Sequence, residues 1–159
     1  MVIRRMGPAD KTRICELQRE FLKFNKENVH SKNDLLLDLC AVLDEEELIN
    51  TDFDNFLNKI GFVAEEDGII KGYIIGSIDL APYRKYKKTG NIEECFVTEF
   101  DRKRGIGKIL FSSLVDEFKI EGCDRLRVSA YLANDIAVSS YKKMGFIEGS
   151  IDLLMKLDK

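Results

Sequence analysis

The chain is predicted to fold as an α+β domain of three layers, with a central sheet of six or seven strands and about four or five helices. Three observations predict this. Apolar residues in the first third recur at three- and four-residue spacing, the period of a helix. Two strand-like runs, Phe62–Glu66 and Ile69–Leu80, meet at Asp67-Gly68, a pair suited to a two-residue hairpin turn. Strand-like and helix-like segments then alternate to the end. No linker, internal repeat or low-complexity stretch interrupts them, so residues 1–159 read as one domain.

Val2 to Met6 reads as the first strand, and Pro8 sits where a helix could begin. Ile14, Leu17, Phe21 and Phe24 fall on one face of that helix. Leu35, Leu36, Leu39, Cys40 and Leu43 carry a second. Thr51 is placed to cap a third, with Phe53, Phe56, Leu57 and Ile60 on its face and Gly61 at its end. After the hairpin, Ala81 to Gly90 holds Pro82 and four bases, the composition of an exposed loop. Ile92–Val97 is a strand and Lys108–Glu121 a helix that stops near Gly122. Leu126, Val128, Ala130 and Leu132 alternate as another strand. Asn134–Met144 is a short helix ending at Gly145, and Phe146–Leu157 supplies one or two closing strands.

Composition excludes several classes. Apolar residues make up 45% and charged residues 33%, as in ordinary globular proteins. No apolar run approaches the roughly 18 residues of a membrane span, and charges occupy the N-terminal positions where a signal peptide is apolar. A cytoplasmic location is the resulting expectation. Cys15, Cys40, Cys95 and Cys123 are scattered without a Cys-x-x-Cys pair and read as reduced packing residues. His30 is the only histidine, so neither a catalytic triad nor a histidine metal site is expected. A net charge of −3 argues against nucleic-acid binding. The charge is uneven, however. Between Asp34 and Asp54 lie eight acids and no Lys or Arg, whereas bases gather at Arg84–Lys88 and Arg102–Lys108. The acids are either a solvated helix surface or a wall attracting a cationic substrate, opposite a basic wall holding an anion.

The stretch Arg102-Lys103-Arg104-Gly105-Ile106-Gly107 lies between the strand Ile92–Val97 and the helix beginning at Lys108. Glycines permit unusual backbone angles and close approach of a ligand. The first turn of a helix presents N–H groups without intrahelical partners and the positive end of the dipole. Together they suit an anion such as a pyrophosphate. A Walker loop does not fit, because Arg102 stands at its first glycine and Ile109 at its Ser/Thr. The dinucleotide pattern fails as well, because Leu110 stands at its third glycine.

What does fit is Arg/Gln-x-x-Gly-x-Gly/Ala, the coenzyme A loop of the GNAT acetyltransferase superfamily. A second signature of that family, Asn-x-x-Ala-x-x-x-Tyr-x-x-x-Gly-Phe, matches Asn134 to Phe146 in the family's order and spacing. Asn134 and Tyr141 are seven apart and share one helical face. The resemblance covers Phe62 to Leu157. It implies a mostly antiparallel sheet, an acetyl-CoA co-substrate and a V-shaped opening between the fourth and fifth strands. The pantetheine arm would pair with the backbone around Phe96, Val97 and Thr98. The pyrophosphate would lie on Arg102, Lys103, Arg104, Gly105, Ile106, Gly107 and Lys108. Asn134 would bond the pantetheine, and the Tyr141 hydroxyl would protonate the departing thiolate. No metal is implied, and the resemblance allows a homodimer.

An amine attacking the thioester must first lose its ammonium proton, which calls for a base. Ile92-Glu93-Glu94-Cys95-Phe96-Val97 is similar to a strand of diamine N-acetyltransferases whose first acid accepts the proton through water, and this role carries over to Glu93. Neighbours on a strand face opposite ways, so only one of Glu93 and Glu94 serves unless a bulge intervenes. The glutamate that ribosomal-protein acetyltransferases carry five residues before the motif Asn is Ser129 here, which counts against that subgroup. Two departures from the family pattern lie near the loop: Glu99 stands where a Pro is usual, and Lys103 where a Gly is common. The expected activity is acetyl transfer to a primary amine, either of a small cation such as a polyamine or aminoglycoside or of a peptide or protein. A non-catalytic acyl-CoA sensor of the same fold is the rival.

Overall fold

A computed structural model of the protein describes residues 1–29, 53–155 and 157. The expected second helix at Leu35–Leu43, the cap at Thr51, His30 and the acids from Asp34 to Asp52 lie outside these residues. The described residues form two compact units, 1–20 with 53–129 and 21–29 with 130–157.

The first unit is built on one five-stranded sheet in the order β1 (Val2–Arg5), β2 (Ile60–Glu66), β3 (Ile69–Leu80), β4 (Lys88–Val97) and β5 (Arg125–Val128). The first four are antiparallel and β5 runs parallel to β4. The β2–β3 turn is the predicted one: Asp67 and Gly68 take φ of 53° and 76°, the left-handed pair that matches the twist of a hairpin. Helix α1 (Lys11–Asn28) follows a 3-10 turn at Pro8–Asp10. Residues 53–57 are helical (α2), and α3 (Ile106–Ile120) follows the basic turn.

Helix α3 buries Ile106, Leu110, Leu114 and Phe118, one residue per turn along a single stripe. The stripe lies on the sheet face that carries Gly76 and Gly90, where a Cβ would stand 2.6 Å from atoms of the Phe118 ring. Two glycines therefore let an aromatic ring rest on bare backbone. The helix closes at Gly122, φ 76°, where Cys123 N–H bonds the Phe118 carbonyl at 2.8 Å and Gly122 N–H that of Lys119 at 2.9 Å. On the opposite sheet face Tyr73 and Ile75 are fully buried. There Arg4 reaches Asp10 at 2.8 Å, and this guanidinium holds the buried carboxyl below the usual carboxylate range.

The second unit contains the end of α1 and α4 (Asp135–Lys143). Helix α4 is capped by Asn134 and followed by Gly145 at φ 96°, and each end lies within one residue of the predicted bound.

Four expectations are corrected. Ile60 and Gly61 belong to β2, paired with Gly76 and Ile75, because ladder hydrogen bonds on both sides override the helical spacing of Ile60. The loop predicted at Ala81–Gly90 is shorter: β3 and β4 pair as far as Leu80 and Lys88, and Ala81 N–H bonds the Lys87 carbonyl at 2.8 Å. β5 stops at Val128 rather than Leu132, since its pairing with β4 ends at Ile92. No strand forms among the described residues of Phe146–Leu157, so the sheet has five strands among the described residues, against the expected six or seven. A strand needs a paired edge, and here Ile147, Ile151, Leu153 and Met155 remain exposed.

Gly90→Ala is expected to cost about 1–3 kcal/mol through overpacking against Phe118. Gly149→Ala, where no atom lies within 4 Å of a built Cβ, is expected to stay within about 0.5 kcal/mol of wild type. Urea denaturation of both variants checks the contrast.

Candidate active site

The site is organised by a change of partner along β4. From Thr89 to Ile92 the strand is paired on both edges, with β3 and with β5. Beyond Ile92 only the β3 edge remains paired, and β4 and β5 part. Thr98 N–H bonds the Lys71 carbonyl at 3.0 Å. Strand groups alternate, so Phe96 also turns its backbone to β3, while Val97 and Cys95 turn theirs to the open edge. The Val97 carbonyl confirms the alternation, accepting from Arg102 Nε at 3.1 Å. Of the expected trio Phe96, Val97 and Thr98, Val97 alone turns its backbone to the open edge.

A bulge sits at the parting. Ile75 pairs with Glu94 and the next residue, Gly76, with Ile92, which leaves Glu93 as an extra residue. The register places Glu93 after Asn91 and Glu94 opposite Ile75, on the same face of the sheet. Both candidate bases are thus brought together, the exception that alternation alone excludes. Lys59 Nζ binds Glu93, and the buried Tyr73 hydroxyl donates to Glu94. Cys95 faces the other way. Desolvation pushes its thiol up to about 12, the Glu94 charge adding to the effect. It stays protonated at neutral pH and offers no competing nucleophile.

The basic turn is held from within by acids. Thr98 Oγ1 donates to Asp101 Oδ2 at 2.6 Å, across the 3-10 turn Glu99–Asp101. This bond stiffens the position where the family pattern has Pro. Arg104 spans Asp101 and Glu66, with Nη2 at 2.8 Å from Glu66. The Thr98 hydroxyl, then Arg104, keeps the Asp101 carboxyl below its ordinary range. Lys103 adopts φ 63°, the left-handed conformation that the family's common Gly takes without strain. Gly105 follows at φ 82° as the N-cap of α3, which therefore begins two residues before Lys108. The first bond into the helix is Ile109 N–H to the Gly105 carbonyl at 3.2 Å. The amides of Ile106, Gly107 and Lys108 precede it and point out of the helix end. A Cβ at Gly107 would meet nothing nearer than Val97 Cγ2 at 3.8 Å.

On the sheet face that carries Glu93, a cleft of about 380 Å³ opens between Ser77 and Asp79 of β3, Asn91 and Glu93 of β4, and Arg127 and Ser129. Sequence reasoning missed Ser77, Asp79, Asn91 and Arg127. Only the register, which sets Ser77, Asn91 and Arg127 side by side on three strands, groups them.

Asn134 and Tyr141 lie in the second unit, on the half-buried face of α4 with Ala137 and Val138. Asn134 Oδ1 caps the helix, accepting from Ala137 N–H at 3.1 Å. Tyr141 meets Phe146 edge to face at 5.7 Å.

Asp101 carries a pH prediction. Its folded carboxyl is held below the unfolded value of about 4, so its contribution is complete above that value and disappears as pH falls through the folded one. Stability of Asp101→Asn should therefore fall less steeply than wild type below about pH 4, as read by urea midpoints across pH.

Comparison with known proteins bears on the fold and the family. No curated protein matches the sequence significantly. Among solved structures, aminoglycoside N-acetyltransferase AAC(6')-Iy in complex with CoA is 18% identical with a TM-score of 0.71, covering 99% of this chain and 100% of its own. The same protein bound to the bisubstrate analog CoA-S-monomethyl-acetylneamine gives 18% and 0.72, covering 99% and 98%. A tetramutant of BH1408 protein from Bacillus halodurans gives 19% and 0.78, with 99% and 100% covered. Aminoglycoside 6'-N-acetyltransferase AAC(6')-IG from Acinetobacter haemolyticus gives 18% and 0.72, again with 99% and 100% covered. These likenesses establish the fold. A family model described as acetyltransferase (GNAT) family matches residues 25–146, more than half the sequence, and the chain belongs to that acetyltransferase family.

Proposed function

We propose that the protein moves the acetyl group of acetyl-CoA to a primary amine of a small cationic molecule, by direct attack of the amine on the thioester. The observation that carries this reading is Gly107. Unlike Gly105, it has no positive φ, and a Cβ on it would have open space. Neither backbone nor packing asks for glycine there. Close approach of an anion to the amides of Ile106, Gly107 and Lys108 does ask for it. With Arg104 bound to Asp101 and Glu66, the turn offers main-chain N–H groups, and Lys103 and Lys108 add charge.

Acetyl-CoA supplies an acetyl thioester, and every other part of the reaction falls to the chain. Val97 offers its N–H on the open edge of β4 to the thioester carbonyl oxygen. Glu93, held by Lys59 and beside the cleft, accepts the ammonium proton directly or through water, and Glu94 on the same face reinforces the negative field. The family pattern assigns Tyr141 the proton for the departing thiolate and Asn134 a contact to the pantetheine. Because a thiolate is a good leaving group, orientation contributes more to the rate than this proton. A small cationic acceptor is favoured by the acids of the cleft and by the aminoglycoside substrates named for the structural relatives.

Gly107→Ala is expected to fold at least as stably as wild type, since Ala outranks Gly in a helix by about 1 kcal/mol, yet to bind coenzyme A about tenfold more weakly or worse. Thermal melting and calorimetric titration test the two halves; unchanged coenzyme A affinity would sink the assignment. Tyr141→Phe should release thiol from acetyl-CoA about 10–100-fold more slowly with an amine panel, at unchanged coenzyme A affinity. Tight cofactor binding with no thiol release by wild type on any amine would instead establish a sensor.

A further inference from the structure

Asp79 and Arg127 form an ion pair at 2.9 Å between strands that are not neighbours. Arg127 is on β5 beside Asn91, and Asp79 is on β3 opposite Thr89. The guanidinium therefore crosses β4 to reach its partner, on a diagonal between the Asn91 and Thr89 positions. Asn91 is 7% exposed, and its Oδ1 is buried without a hydrogen-bond partner. A buried amide oxygen without a donor is uncommon and signals a missing partner. All three residues line the same cleft as Glu93. Both members of the pair are more than half exposed, at 56% and 59%, and such pairs hold by only about 1.5–5-fold. An incoming cation can displace Arg127 at little expense.

We propose that Asp79 and Asn91 form a second cation subsite of the acceptor, which Arg127 of the protein itself fills until a polyamine displaces it. The inference rests on the proposed amine acetylation and names its substrate class: a linear amine with a further ammonium remote from the reacting nitrogen. Asp79 supplies the charge, and Asn91 Oδ1 accepts an N–H of the same ammonium once Arg127 has swung away. The spacing follows from the register. Thr89, opposite Asp79, is four residues from Glu93, about 13 Å along the strand, the reach of an extended triamine and beyond that of a short monoamine.

The test is calorimetric titration of spermidine into the full chain saturated with coenzyme A, where no turnover occurs. Asp79→Asn and Asn91→Ala should each weaken spermidine by about tenfold, the scale of a lost hydrogen bond to a charged group. Arg127→Gln should tighten it by about two- to fivefold. Binding of n-butylamine should not respond to Asp79→Asn, and coenzyme A affinity should be unchanged throughout, which certifies folding. A merely structural ion pair predicts that Asp79→Asn and Arg127→Gln move spermidine in the same direction, and that result overturns the proposal. So does spermidine binding indifferent to Asp79→Asn or Asn91→Ala, or absent in wild type. Thiol release on other amines reads the acetylation itself, so the two claims fail separately.

Discussion

A strand inside a sheet has two hydrogen-bonding edges, and β4 gives up one of them after Ile92. The features on which the proposed reaction draws follow from that loss. Unpaired backbone at a strand edge must find partners, and at Val97 one of them is already the Arg102 side chain. The bulge at Glu93 accompanies the parting. It lets two consecutive acids share one face, a placement that regular alternation forbids. Geometry that weakens the sheet thus concentrates both polar backbone and negative charge at one place.

Charge in the basic turn is arranged differently from what its composition suggests. Arg102 lies 5.6 Å from the Phe96 ring and binds the Val97 carbonyl, while Arg104 is committed to Asp101 and Glu66. Two of the four bases are structural ties that shape the loop. What remains is a row of amides in fixed orientation, which gains little from flexible ammonium groups and loses little to salt screening. The strained Lys103 is tolerated because this network fixes the backbone around it.

The elements readable in the sequence are those specified by their own residues. Asp67-Gly68 fixed a turn because both positions need left-handed backbone. Gly122 and Gly145 ended their helices for the same reason, and the stripe Leu110, Leu114, Phe118 faced the sheet as its spacing required. Features that depend on a distant partner were not readable. Ile60 fitted a helix by spacing, and ladder bonds to Gly76 made it a strand. The bulge at Glu93 has no local signature, since it records a mismatch between β3 and β4. Asp79, Asn91 and Arg127 come from three separate strands and meet only through register. The short motifs around Gly107 and Tyr141 marked the family, whereas the cleft proposed to select an acceptor is non-local.

Phe118 rests on backbone at Gly76 and Gly90, near the carboxyl end of a helix whose amino end presents Ile106, Gly107 and Lys108. A rigid helix pivots as one body, so the seat of that ring sets the tilt of the whole rod. Its far tip, three turns away, is where the nucleotide's diphosphate would rest. A bulkier side chain beneath the ring would act as a wedge, lifting one end and swinging the other out of alignment. Drift at two buried glycines could in this way retune an enzyme without altering a single residue that touches its substrates.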